Sequence, residues 1–155
     1  MLIVTPLLIG QTLHPKVVSS VGRLNSFWLI VSEDAHYQGY ERELSINHTR
    51  AMLHRQACNI LDDHKYVLLL DSDVVIDDPS IIEEMKTKLD NGFIAACIKT
   101  KESDHILSAC ALVKSDFYRI HLGPSTTPNI CQCRRIARLG EMCYVGSSNA
   151  YEVGR

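Results

Sequence analysis

The chain has 155 residues, 46% of them hydrophobic, and a formal net charge of -2. That length suits one domain around one core, and the charge gives no electrostatic reason to bind nucleic acid or a membrane surface. No apolar run approaches the roughly 18 residues needed to span a bilayer, and the opening MLIVTPLLIG lacks a basic leader and a cleavage site, so it reads as a first strand, not a signal peptide.

In chain order, residues 1–9 form that strand, fraying into a loop at Thr5-Pro6. Residues 15–24 carry Val17, Val18, Val21 and Leu24 at helical spacing, with Pro15 in the first turn. Residues 27–32 (FWLIVS) read as a second strand of the buried type, ending in Glu33 and Asp34. Residues 35–40 have turn composition. Residues 41–63 read as a long helix with Ile46, Leu53, Ala57 and Ile60 on one face and Arg42, Arg50 and His64 outside.

Residues 67–70 are an uninterrupted apolar run, the pattern of a strand covered on both faces. The run stops abruptly at Asp71, Ser72 and Asp73. Two carboxylates at the end of a buried strand cost too much to be there for packing alone. Asp77-Asp78-Pro79-Ser80 starts a helix: either Asp78 caps it with Pro79 first, or Ser80 caps it with Glu83 closing a capping box. Asn91-Gly92 ends that helix.

Residues 93–98 are strand-like, 99–104 a polar loop, and 106–113 another strand followed by a turn or short helix through Phe117 and Ile120. GPSTTP (residues 123–128) is a loop. Residues 130–139 form a helix with Arg134, Arg135 and Arg138 on its outer side, Gly140 ends it, and residues 142–145 are a last short strand before a polar tail.

The six cysteines divide in two. Cys58, Cys97 and Cys110 sit in apolar stretches and read as small core residues. Cys131-Gln132-Cys133 lacks zinc-ligand spacing and no histidine follows it, while Cys143 leaves a disulfide open. The default is a reducing, cytoplasmic compartment. The alternation of strand and helix predicts a single α/β domain over residues 1–155: three layers, α/β/α, around a mostly parallel, Rossmann-like central sheet. In such sheets ligands bind just outside the carboxyl ends of the strands.

Three chemistries compete for Asp71-Ser72-Asp73. An EF-hand calcium loop fails, because Val75 and Ile76 stand where a ligand and a glycine are needed. An Asp-dependent phosphatase resembles it locally, as in the haloacid dehalogenase superfamily, but that motif belongs near the chain start and its later acidic pair is missing. The third is a divalent metal held by one or two carboxylates and completed by the phosphates of a nucleotide and by water.

With that third reading the sequence resembles the GT-A fold glycosyltransferases and their Asp-x-Asp motif. The flanking matches fall in the right order. Thr5-Pro6 looks like the proline loop against the nucleotide. WLIVSEDAH is similar to the second strand, most of all in the glucuronyltransferase branch, whose terminal acids, here Glu33 and Asp34, receive the uracil or ribose. Arg55-Gln56 precedes Asp71 as an Arg-Asn pair does in the large inverting family. HILSACALVKSDFYRIHLG resembles the acceptor-side strand and turn, and PNICQCRRIARLGEMCYV the segment of helix, glycine and strand beyond it.

The resemblance implies a nucleotide-diphospho-sugar donor, UDP- or GDP-linked, and Mn2+ or Mg2+. It makes Asp73 the principal metal ligand. Asp71 contacts ribose or joins the metal shell through water, and Thr5, Pro6, Glu33, Asp34, Arg55 and Ser72 bind the nucleotide-sugar. It leaves the acceptor undefined, calls for no nucleic acid, and is compatible with a homo-oligomer. Aligning Arg135 and Gly140 with their family counterparts puts Asn129 where the catalytic base stands. An amide cannot accept that proton at neutral pH. The base is then Asp104, Asp116 or Glu141, or the donor phosphate aids the acceptor in a retaining reaction, or the chain is a non-catalytic nucleotide-sugar binding module. No histidine follows His121 to complete the metal shell, which leaves Glu152 or water.

Overall fold

The computed structural model describes residues 1–7, 10–32, 42–98, 110–124, 132–146 and 150–153, with all their side chains except those of 42–47 and 132–134. In chain order these form β1 (Leu2–Leu7), α1 (Pro15–Gly22), β2 (Phe27–Ser32), α2 (Arg42–Cys58), β3 (Tyr66–Leu70), β4 (Val74–Ile76), α3 (Ile81–Asp90), β5 (Ala95–Ile98), β6 (Cys110–Lys114), α4 (Ser115–His121), α5 (Gln132–Ala137), β7 (Met142–Tyr144) and β8 (Ala150–Glu152). Six strands make one sheet in the order β2-β1-β3-β6-β5-β7, and β4 and β8 make a separate antiparallel pair. Within the large sheet only β6 runs against its neighbours.

The period-two alternation of the strands decides which helix lies on which face. Ile3, Leu68, Leu70, Ala96, Ile98, Cys110 and Leu112 point to one side, where they meet Val17 and Val21 of α1 and Ile82, Met85 and Leu89 of α3. Leu2, Val4, Val67, Ala95, Cys97, Ala111 and Val113 point to the other, against Leu53 and Ala57 of α2, Tyr118 of α4 and Ile136 of α5. The three-layer, mostly parallel architecture expected from the alternation of elements is therefore present. Leu53 and Ala57 face the core as their spacing requires.

Four local expectations are corrected. β1 does not fray at Thr5-Pro6: it continues to Leu7, with Pro6 paired to Val31 of β2. β1 pairs with β3 only over Leu2 to Val4, so beyond Val4 it has one partner and a missing N–H is tolerated as on an edge strand. Second, β2 is an outer strand, and Phe27 is 59% exposed. Its composition matches a fully buried strand because one apolar run serves either position.

Third, β4 and β8 were not foreseen. Three residues are too few to show a period, and β8 lies in what reads as a polar tail. Fourth, Ser80 occupies the N-cap position of α3 without a side-chain cap bond. Asp78 Oδ1 instead accepts the Ser80 amide at 3.0 Å, and Ser80 holds the exposed Asp78 carboxyl below its ordinary value.

The site lies on the α2 side of the sheet, and the opposite, α3 side is a core of its own in which Met85 is fully buried. Truncating a buried Met to Ala removes its transfer energy and leaves a cavity. Met85→Ala should destabilise the fold by about 2–5 kcal/mol in urea titrations, whereas Ile120→Ala, at a position 71% exposed, should stay within about 0.5 kcal/mol.

Candidate active site at the carboxyl end of the sheet

The chain enters the sheet at β1, crosses to β2 on one side of it, and returns past β1 to β3 on the other. The strand order reverses there, and a crevice opens between the carboxyl ends of β1 and β3, the usual ligand position of an open α/β sheet. The crevice encloses about 290 Å3, open solvent included, and is lined by Val4 and Pro6 of β1, Leu69, Leu70 and Asp71 of β3, Arg50 and Leu53 of α2, and Tyr118 of α4. Its walls are aliphatic and aromatic, with a carboxylate and a guanidinium among them. Burial pushes the Tyr118 phenol up from its ordinary value, so near neutral pH it is a hydrogen-bond donor and not a base.

The acidic loop beyond β3 is fastened from several directions. The Asp71 carbonyl accepts the Val74 amide at 3.3 Å, and the Asp73 carbonyl accepts the Val153 amide at 2.7 Å. β8 continues that grip by pairing Glu152 with Val74. On the far side of β4, the Ile76 amide donates to Ser20 Oγ at 3.4 Å and Arg23 Nη2 donates to the Ile76 carbonyl at 3.0 Å, both from the end of α1. The Ser72 hydroxyl donates to Gln11 Oε1 at 3.4 Å, bringing the segment after β1 alongside. Ser72 and Asp73 are each 8% exposed, and Asp71 is half-buried.

The expected site residues divide accordingly. Pro6 and Asp71 share the crevice, and Ser72 and Asp73 lie just beyond it. Thr5 is fully buried, and its Oγ1 accepts the Trp28 indole N–H at 2.9 Å, a bond internal to the sheet. Arg55 is exposed near the end of α2, while Arg50, expected on the outside, lines the crevice. Arg50 and Tyr118 are the two residues that sequence reasoning missed. The signal for Arg50 was available in its spacing: it lies three residues before the inward-facing Leu53, on the same side of the helix. Glu33, Asp34, Asp104 and Asn129 lie outside the described residues.

Asp116, in the first turn of α4, and Glu141 are exposed. Glu152 is brought to the acidic loop by the β4–β8 ladder, yet among the described residues no three His, Cys, Asp or Glu side chains converge as a metal cage. Asp71 and Asp73 supply oxygen atoms only, the ligand type that Mg2+ accepts from one or two carboxylates beside phosphate and water.

A second cluster supports the wall that bears Tyr118. His54 Nε2 lies 3.1 Å from the Tyr118 carbonyl and 3.2 Å from that of Arg119. Both only accept, so Nε2 carries the proton. Arg135, expected on a solvated face, is half-buried and turned inward, donating to the carbonyls of Gly123 at 2.7 Å and His121 at 2.8 Å. Together these donors satisfy the carbonyls at the end of α4 and just past it, where the helix dipole favours a positive charge such as that of Arg135. Gly140 is needed because a Cβ there would meet Ile94 at 3.0 Å.

No protein-family model and no curated protein sequence matches this chain. Solved structures do. A197 from STIV superposes with a TM-score of 0.68 at 12% identity, over 100% of this chain and 87% of that one. The bifunctional IspDF from Campylobacter jejuni gives 0.59 at 14% identity, over 97% of this chain and 51% of that one. A glycosyltransferase involved in the glycosylation of the major capsid of PBCV-1 gives 0.51 at 16% identity, over 77% and 62%. At such identities the likeness is one of fold alone, an α/β sheet, and this chain spans from 51% to 87% of the length of these structures. Among the described residues no helix is long and apolar enough to cross a membrane.

Thiol chemistry is not part of the site. Cys58, Cys97, Cys110 and Cys143 are all free thiols. Burial pushes Cys110 up to about 12 and raises Cys97 as well. Cys58 Sγ lies 3.7 Å from both ring nitrogens of His54, and burial raises this thiol too. Cys97 and Cys110 should resist alkylation in the native chain at pH 8 and react after unfolding, as mass spectrometry would record. The unfolded chain loses these protons from about pH 9 while the folded one keeps them. Their contribution to stability is therefore complete below pH 9 and is lost as pH rises toward about 12.

Proposed function

We propose that the chain is a metal-dependent glycosyltransferase of GT-A type that takes a nucleotide-diphospho-sugar, UDP- or GDP-linked, as its donor. The observation that carries this reading is the crevice at the reversal of strand order, with Asp71 in its wall and the buried Asp73 two residues further on. Any ligand that fills the crevice and extends past β3 passes both carboxylates in turn. A nucleotide-diphospho-sugar has that length and polarity: base and ribose against Val4, Pro6 and Leu69, diphosphate over the acidic loop.

The roles follow from chemistry. The Arg50 guanidinium donates to a carbonyl of the base or to the phosphate. Asp71 accepts from ribose hydroxyls. Asp73 is the principal ligand for Mn2+ or Mg2+, and Asp71 joins that shell directly or through water. The bound cation would offset the negative charge that builds on the departing diphosphate. What the protein adds is orientation: a loop fixed by Val153, Ser20 and Arg23 holds its carboxylates without reorganisation. Glu33, Asp34 and Arg55 keep their assignment to the nucleotide, and Asp104 is the first choice of base in place of Asn129. That asparagine favours a second reading, a nucleotide-sugar binding module without turnover. Donor hydrolysis or transfer in the presence of Mn2+ separates the two.

Thermal-shift titration with UDP, GDP and other nucleotide diphosphates, each with and without Mn2+, tests the donor side. A ligand at about 100 times its Kd should stabilise the fold by about 2.7 kcal/mol, only when the metal is present, and Asp73→Ala should abolish the effect. A metal-independent shift, or an intact shift in Asp73→Ala, would refute the proposal. The two arginines are distinguished in the same assay. Arg50→Ala should weaken diphosphate binding by about 10- to 100-fold, the worth of a hydrogen bond to a charged group. Arg55→Ala, on an exposed part of α2, should cost less.

A further inference from the structure

One polar atom in the crevice wall has no partner inside the protein. Tyr118 is 2% exposed and lines the crevice. Its carbonyl accepts the His54 ring N–H at 3.1 Å, but its phenol hydroxyl makes no hydrogen bond among the described residues. Tyr66, the other buried tyrosine among those residues, donates to Asp90 Oδ1 at 3.0 Å. Buried hydroxyls are nearly always paired, because removing one from water without a new bond costs free energy. α4 starts at the amino end of β3, where the Ser115 amide donates to the Lys65 carbonyl at 3.0 Å, whereas the crevice lies at the carboxyl end. Tyr118 therefore reaches the crevice with its side chain, whose farthest atom is the hydroxyl oxygen.

The phenol is also held in place. The Tyr118 and His54 rings lie with centroids 4.9 Å apart, and His54 Nε2 grips the carbonyls of Tyr118 and Arg119. A Cβ at Gly123 would meet His54 Cε1 at 3.2 Å, so the chain past α4 closes tightly on the imidazole. A side chain ordered before its ligand arrives removes that cost from binding. Burial first, and then a negative charge on Cys58, oppose ionisation of the phenol, so it keeps the proton it can donate.

The other polar side chains of the crevice are Arg50 and Asp71. Asp71 stands at the rim, where the proposed function uses it for ribose and metal. The two that remain for the base are Arg50, which only donates, and the Tyr118 hydroxyl. We infer that Tyr118 and Arg50 together read the carbonyl oxygens of an oxo-substituted nucleobase, so that the crevice takes uracil or guanine in preference to adenine. This inference rests on the nucleotide reading of the crevice. Uracil and guanine carry carbonyl oxygens that accept from such donors. Adenine carries none, and its exocyclic amino group is itself a donor. It would enclose the hydroxyl still unpaired, and a site built to pair a polar group discriminates strongly against a ligand that leaves it unpaired.

Tyr118→Phe removes the oxygen and little else. Calorimetric titration of UDP, GDP and ADP, each with Mn2+, into the wild-type chain and this variant tests the inference, together with urea titration of both chains without ligand. The wild type should bind UDP or GDP more tightly than ADP. The variant should bind the preferred diphosphate about 2- to 10-fold more weakly, the worth of a hydrogen bond between uncharged groups, with its ADP affinity unchanged. Its urea midpoint should equal or exceed that of the wild type, because no internal bond is lost. Tyr66→Phe, which removes the hydroxyl bound to Asp90, should give the opposite pair of results, a lower midpoint and unchanged nucleotide affinity. A lowered midpoint in Tyr118→Phe would mean that the hydroxyl is partnered within the protein and would overturn the inference. So would a wild-type preference for ADP, equal weakening of all three diphosphates, or no weakening at all. Those results leave metal-dependent diphosphate binding standing, whereas a wild-type chain that binds none of the three refutes the nucleotide reading and this inference with it.

Discussion

Two crossovers leave β1, one through α1 to β2 and one that returns through α2 to β3, and both obey the right-handed rule for parallel strands. Because they travel in opposite directions along the sheet, their helices must lie on opposite faces. That is where Val17 and Val21 of α1 and Leu53 and Ala57 of α2 are found. The gap between the carboxyl ends of β1 and β3 lies where the two crossovers part, with α2 supplying Arg50 and Leu53 to its wall. The crevice, its aliphatic walls and the position of Asp71 at its rim follow from this one constraint, and so does the inward turn of Arg50. A residue on the inner side of α2, near the end of the crossover that closes over β1 and β3, has nowhere else to look.

What the crossovers open, the chain terminus steadies. β8 contributes a short ladder to β4 and an amide to the Asp73 carbonyl, while α1 contributes Ser20 and Arg23 to the same strand. On β4 and the acidic loop these contacts use backbone groups, met by the backbone of β8 and by the side chains of Ser20 and Arg23. The loop is held in place from two sides, as a preorganised site requires. The His54 and Arg135 pair does the same for the opposite wall by fixing the end of α4, from which Tyr118 projects.

Much of this was legible in the residues. The uninterrupted apolar run of residues 67–70 and its abrupt acidic end identified β3 and the rim. FWLIVS marked β2 to the residue, and Asn91-Gly92 marked the end of α3. Other features were hidden for physical reasons. An apolar edge strand has the composition of a central strand, so β2 was read as enclosed. β4 and β8 exist only because each has the other, and pairing across 76 positions leaves no local trace. Arg135 was read as solvated because long cationic side chains usually are, and only the carbonyls at the end of α4 explain its turn inward. Arg55 was favoured over Arg50 on spacing to the acidic motif, a one-dimensional criterion, whereas the helical phase relative to Leu53 pointed the other way.

The reversed strand β6 has a consequence of its own. It sits between β3 and β5 with Cys110 paired at once to Leu70 and to Ile98. The chain therefore leaves the sheet after β5 and re-enters it at β6 across a single rung, beside the rim that carries Asp71. The sheet at this junction does not depend on the length of the connection, because closing a connection costs only about 0.6 kcal/mol more for each doubling of its length. That makes this junction a natural socket. Segments of different size and polarity can be exchanged there without re-registering a strand, while the crevice between β1 and β3 is inherited unchanged.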